Sequence, residues 1–291
     1  MNIDLFYQSE ATLGEGPVWD HNKGELSWVD IENGQLHFFN PTINQHQQHT
    51  FDSRLGAAVP SDNEKYLLAL QKGLAFFDPT SEELKYFSNP EEALPNNRFN
   101  DGKCDPQGRF WIGSMDCNAE SGQGILYRID SDLKVNALLP NLSISNGLAW
   151  HPEKNVMYFI DSATYKVLQF DYTPSSGSIK NPKEVIRIPE DHGAPDGMTI
   201  DREGMLWIAH WGGANISRWN PETGRLLQKV TIPALHVTSC CFGGENYDQL
   251  FITTARYGLT DEQMAKYPLS GSIFSCKPKV GGWAIAHFKM G

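Results

Sequence analysis

Apolar and aromatic residues return along this chain in six short, nearly continuous runs: LSWVDI, YLLALQ, RFWIGSM, VMYFID, LWIAHW and LFITTA. A turn carrying glycine or asparagine follows, and then a second segment in which apolar and polar positions alternate: QLHFFN, LAFFDP, ILYRID, VLQFDY, ISRWNP and SIFSC. β-Branched and aromatic residues favour the pleated backbone. A continuous apolar run suits a strand covered on both faces, whereas alternation suits a strand with one freer face. Several of the second segments end in Asp or Asn followed by Pro, which stops a strand and starts a turn. The pattern predicts six strand pairs, in copies that begin at Gly24, Glu64, Gly108, Asn155, Gly204 and Asp248. Strand-rich repeats of roughly 40 to 50 residues are the signature of a β-propeller. The expected fold class is therefore all-β, a six-bladed β-propeller, with residues 1–291 forming one domain.

Trp19, Trp28, Trp111, Trp150, Trp207 and Trp219 fall in or beside these strands. Their large rings suit them to wedge neighbouring blades together. Helix signals are sparse. The clearest is TDEQMAKYP, where Thr260 is a candidate N-cap, acids follow it and Pro268 ends the segment. TPSSGS (173–178) reads as a tight turn, and NQHQQH, with His46 and His49, as a solvated polar turn.

Charge narrows the function classes. The formal net charge is −11, and so acidic a surface repels phosphate backbones, which argues against a nucleic-acid partner. No apolar segment approaches the length of a membrane span. MNIDLFYQSE lacks the basic and apolar regions of a signal peptide, and the five cysteines are an odd number. Together these suggest reduced thiols and a cytoplasmic protein. Adjacent Cys240 and Cys241 are expected to pack as small apolar residues in a strand. Closed propellers hide their sheet edges, which favours a monomer.

Four segments share one layout: a polar residue beside Gly or Gly-Pro, an apolar pair, then a turn into a strand. They are LGEGPVW with Glu15, NNRFNDGKCDPQGRFWIGSM with Arg98, Asn100 and Asp101, SNGLAWHP with Asn146, and APDGMTIDREGMLWIAHW with Asp196. Read as loops at equivalent positions of four blades, they aim at one central space. Glu15, Asn100, Asn146 and Asp196 offer two carboxylates and two amides, an oxygen set that suits a divalent cation. Glu15 and Asp196 neutralise its charge. No His or Cys stands at these positions, which argues against a thiolate zinc site. Taken singly, Asn146–Gly147, Asp196–Gly197 and Asp101–Gly102 also fit ordinary turns, and Asp101–Gly102 is expected to be one. His210 and His192 are further candidates to line the pocket. The chain has no serine nucleophile elbow and no glycine-rich phosphate loop.

In order and spacing, the stretches LGEGPVWD, NRFNDGKCDPQGRFWIGSM, SNGLAW, PDGMTIDREGMLWIAHWGG and TSCCFGGENYDQLFITTAR resemble the SMP-30/gluconolactonase/LRE family, over nearly the whole chain. That family includes regucalcin and bacterial sugar lactonases. The resemblance implies a six-bladed propeller with one divalent metal ion (Ca, Zn, Mn, Mg or Fe(II)) in its channel. It implies Glu15, Asn146 and Asp196 as metal ligands, Asp196 also as the general base, and Arg98 and Asn100 as binders of substrate hydroxyl and ring oxygens. In several members of the family a Glu after the GxM motif contacts substrate, and after GSM here Asp116 and Glu120 are the candidates to replace it. The implied reaction is metal-dependent hydrolysis of a sugar lactone to the aldonic acid. Either Asp196 or hydroxide on the ion could activate the water. The alternatives are a regucalcin-like calcium-binding regulatory protein without turnover, or a hydrolase of another ester such as an organophosphate.

Overall fold

The computed structural model describes residues 1–291. Six four-stranded antiparallel sheets stand around a central channel as the blades of a β-propeller. Each predicted strand pair is the middle of a blade. The apolar run is the second strand counted from the channel and the alternating segment is the third, as in blade 1 (Glu25–Asp30 and Gln35–Asn40). The innermost and outermost strands were not part of the expected repeat. The outermost strands are mostly exposed or half-buried, and that of blade 1, Gln45–Thr50, contains His46 and His49. These two histidines therefore lie in a strand and not in a solvated turn. His46 stacks on Tyr7 and Trp28, and His49 packs edge-on against Phe77.

Blade 6 takes its outermost strand from the start of the chain. Asp4–Tyr7 pairs antiparallel with Ile273–Cys276, joining the two ends of the sequence in one sheet. Residues after that strand reach back under the ring: Arg202 N–H donates to Gly281 O, Phe288 N–H to Pro60 O and Lys289 N–H to Gly108 O. These contacts lie near the C-terminal ends of the innermost strands. The helix expected after Thr260 is Asp261–Lys266, closed by a reciprocal capping box between Thr260 and Gln263. No helix is long and apolar enough to cross a membrane.

The core is divided among the six junctions between blades. Trp19 and Trp28 fill the junction of blades 6 and 1, Trp111 and Trp150 that of blades 3 and 4, Trp219 that of blades 4 and 5, and Trp207 that of blades 5 and 6. The wedge role expected of the tryptophans is therefore the observed one. Two of them are also clamped by a buried aspartate. Trp111 Nε1 donates to Asp105 Oδ2 and Trp207 Nε1 to Asp201 Oδ2, both at 3.0 Å. The same aspartates accept from Arg109 and Arg218 at 2.7 Å, and charge-assisted bonds of this kind are the stronger class. All five cysteines are free, with Cys240 and Cys241 buried in the innermost strand of blade 6.

Candidate functional site

The four polar segments are the innermost strands themselves, not loops. Glu15 lies in Gly14–Asp20, Arg98, Asn100 and Asp101 in Asn97–Cys104, Asn146 in Ser145–Trp150, and Asp196 in Ala194–Ile200. Every innermost strand breaks register with its neighbour once, near its N-terminal end. The breaks fall between Glu15 and Val18, Leu55 and Ala57, Phe99 and Gly102, Asn146 and Leu148, Pro195 and Met198, and Val237 and Ser239. A bulge frees a residue from the ladder and re-aims its side chain. Asn100, Asp101 and Asp196 lie within these breaks, and Glu15 and Asn146 stand at their edges.

The glycines of the motif have a packing role. Gly147 and Gly197 sit inside strands, and a Cβ on Gly147 would lie 2.8 Å from the Asp196 carbonyl oxygen, while one on Gly197 would lie 2.1 Å from Ser239 Oγ. They let adjacent innermost strands approach closely around the axis. Asp101–Gly102, expected to be a turn, is likewise strand, and Asp101 is buried.

Two aspartates on the second strands fix the approach to the site. Asp30 accepts the N–H groups of Thr12 and Leu13 at 2.8 and 3.0 Å, two residues before Glu15. Asp161 accepts those of Ser143 and Ile144 at 3.0 Å each, two residues before Asn146. The repeat thus uses one device twice to hold the strand entry that carries a site residue.

Glu15, Asn146, Asp196, Arg98 and Asn100 line one cavity of about 490 Å³ at this end of the channel. All five side chains are buried. Arg98 Nη1 donates to Asn100 Oδ1 at 2.6 Å and to Phe99 O at 3.0 Å, and Asn100 Nδ2 donates to Ser145 O at 2.8 Å. Asn146 Nδ2 donates to Ser162 Oγ at 2.9 Å, which leaves its buried Oδ1 without a partner.

The electrostatics are strained. Burial, and then the charge of Asp101, push the Glu15 carboxyl up to about 8. Burial, and then Glu15 and Asp101, push Asp196 well above the carboxylate range. Burial also raises Asp101 against the opposing pull of Lys103. Sequence reasoning missed Asp101 as part of this group, although the polar–Gly pattern contained it. Lys103, also missed, spans the channel beneath it and donates from Nζ to Leu148 O and Met198 O at 3.1 and 2.7 Å.

No three His, Cys, Asp or Glu side chains by themselves form a metal-binding cluster, so an ion held here has to recruit an amide. The residues fit that requirement. Mutually repelling buried carboxylates need a counter-charge, and the orphaned Asn146 Oδ1 is an oxygen awaiting a donor or a cation. Oxygen ligands of this kind suit a hard divalent ion.

Other candidates lie elsewhere. His210 is buried between Gly193 O and Ser217 Oγ and does not line the cavity, nor does His192. Neither Asp116 nor Glu120 faces it. Asp116 Oδ1 is occupied by the N–H groups of Asn118 and Glu120, and Glu120 is exposed. The segment after GSM presents Cys117 and Asn118 to the cavity, and a carboxylate arrives from another blade as Glu32. Its arrival from the hairpin after the second strand of blade 1 left no signal in the local motif.

Comparison with known proteins gives one consistent answer. The family model for the SMP-30/gluconolactonase/LRE-like region matches residues 13–256. A Bacillus subtilis (strain 168) protein, YvrE, named as a candidate sugar lactone lactonase, is 35% identical over 288 residues, 99% of each chain. Regucalcin of Danio rerio is 36% identical over 276 residues, 94% of this chain and 93% of its own. The solved structure of a regucalcin from Agrobacterium tumefaciens strain C58, described as a calcium-binding protein, superposes with a TM-score of 0.95 at 27% identity, covering 99% of this chain and 98% of its own.

Proposed function

The chain belongs to the SMP-30/gluconolactonase/LRE family, and from that premise we propose that it hydrolyses a sugar lactone to the aldonic acid with the help of one divalent cation. The observation that carries the reading is the meeting, on one cavity, of Glu15, Asn146 and Asp196 from three blades with the Arg98–Asn100 pair. In this reading Glu15, Asn146 and Asp196 hold the ion. Such an ion would supply a fixed positive charge that polarises the lactone carbonyl.

The protein's own groups do the rest. Arg98 and Asn100, already bonded to each other, orient the ring and its hydroxyls and so reduce the entropy cost of reaction. Asp196 accepts a proton from the attacking water. In this reading the positive charge that Asp196 helps to hold keeps its carboxylate ionised, which a base requires. Met115, Ile144 and Trp211 supply apolar wall beside the reacting group.

Calcium, zinc, manganese, magnesium and iron(II) all accept oxygen ligands. The test is acid release from a panel of aldonolactones, after chelation and after each ion is restored. Turnover that needs an added ion and vanishes in Asp196→Ala supports the proposal. Calcium binding with no hydrolysis of any lactone would favour a regulatory protein instead.

A further inference from the structure

We propose that Glu32 is a specificity-determining residue that reads one hydroxyl group of a cyclic polyol jointly with Arg98. The inference rests on the lactonase reading for its substrate class, but its geometry is independent of the ion.

Glu32 sits on the hairpin Ile31–Gly34 of blade 1, outside the polar–Gly motifs and on the turn after the second strand. The hairpin is pinned on several sides. Ile31 N–H donates to Leu13 O at 2.9 Å, Leu55 N–H to Ile31 O at 3.2 Å, and Asn33 Nδ2 to Asp30 Oδ2 at 2.8 Å. Gly34 holds a left-handed turn (φ 60°) with the Ser53 carbonyl oxygen against its open face. Glu32 is thus carried by rigid backbone, which a discriminating contact requires.

Its two carboxylate oxygens differ in use. Oε2 accepts from Arg54 Nε at 2.8 Å, which fixes the plane of the group and balances its charge. Oε1 accepts no hydrogen bond. It stands 3.9 Å from Arg98 Nε, too far for a direct bond. On the other side of that gap, Arg98 has committed Nη1 to Phe99 O and Asn100 Oδ1 and makes no bond through Nε or Nη2. A buried guanidinium and a half-buried carboxylate therefore face each other across a distance that neither closes, on the wall of the cavity.

A hydroxyl oxygen bonded to both, at about 2.8 Å from each, would subtend an angle of roughly 90° between them, compatible with one lone pair and one O–H. It would accept from Arg98 and donate to Glu32. A ketone or ether oxygen can only accept, and a methylene can do neither. The slot is therefore selective for a hydroxyl. Sites built to bond a hydroxyl reject analogues that lack it, because their own polar groups are left unpaired. A purely structural ion pair accounts less well for the gap. Arg54 already pairs with Glu32, and contact with Arg98 would bring Nε to bonding distance.

The test uses the full-length protein and its Glu32→Gln and Glu32→Ala variants. Affinity for 1,5-anhydroglucitol, a ring polyol with no carbonyl to hydrolyse, and for calcium is measured by titration calorimetry. Glucono-1,5-lactone turnover is measured in parallel. The proposal expects polyol affinity and lactone kcat/KM to fall roughly 10- to 100-fold in both variants, the range of one hydrogen bond to a charged group, with calcium affinity unchanged. An unchanged polyol affinity, a parallel fall in calcium affinity, or a native protein that binds no polyol would overturn it. A native protein that binds the polyol in a Glu32-dependent way but hydrolyses no lactone would refute the lactonase reading and leave Glu32 as a polyol contact. Glu32→Gln keeps the side chain's shape, so a folding defect in Glu32→Ala would not mask the result.

Discussion

Without a cation, the site should make the protein less stable as pH rises, and a cation should remove that dependence. Burial and the charge of Asp101 bring the Glu15 carboxyl to about 8, against 4.5 for the unperturbed side chain. A carboxyl raised on folding contributes stability that is complete below its unfolded value and is lost as pH climbs through its folded value. At about 1.4 kcal/mol for each pH unit between the two values, the whole loss attributable to Glu15 is roughly 5 kcal/mol. Buried histidines act in the opposite sense at lower pH. Burial holds His37, His210 and His236 down to about 4, so their stability is lost as pH falls from about 6.5 to about 4. The clean window is therefore pH 6.5 to 8, below the range in which the buried thiols of Cys104, Cys240, Cys241 and Cys276, also raised on folding, add a loss of the same sign; across it Glu15 should account for a loss of about 2 kcal/mol. Asp196, also raised, adds to it in the same direction. Urea unfolding in chelator at several pH values across this window measures the slope. Glu15→Gln should flatten much of it, and saturating calcium should flatten it in the native sequence. At pH 7 calcium binding should also release close to one proton from Glu15, read by calorimetry in two buffers of different ionisation enthalpy. A stability that does not vary from pH 6.5 to 8 in chelator, or calcium binding without proton release, would refute the reasoning.

Three further outcomes follow from neighbouring contacts. Asp161→Ala, which frees the Ser143 and Ile144 N–H groups, should cost about 3 kcal/mol of stability and weaken cation affinity through Asn146, as denaturation and cation titration would show. Gly147→Ala would set a Cβ 2.7 Å from Ile160 Cδ1 and 2.8 Å from the Asp196 carbonyl. It should destabilise by about 1–3 kcal/mol, and a melting curve equal to the native one would contradict the close-approach role of that glycine. Asp201→Ala leaves Trp207 and Arg218 without their shared acceptor and should cost about 3–5 kcal/mol. Because Asp201 lies toward the opposite end of the channel, cation affinity in the folded variant should match that of the native protein.

Much of this molecule was written locally in the chain. Strand pairs, blade number and wedge tryptophans follow from side-chain size and from the alternation of apolar and polar positions, which a pleated strand converts directly into buried and open faces. Glu15, Asn146 and Asp196 were visible for the same reason, since each precedes a glycine in a repeated pattern. That pattern did not disclose what the glycines do. Read singly they suggest turns, and only the packing of one innermost strand against the next makes them close-approach positions inside strands. Asp101 was misread on the same ground, because a bulge and a turn share their residue types, and long-range pairing decides between them. The N-terminal strand's place in the last blade and the arrival of Glu32 opposite Arg98 belong wholly to tertiary structure. Both join residues that ring closure brings together and that no local spacing relates.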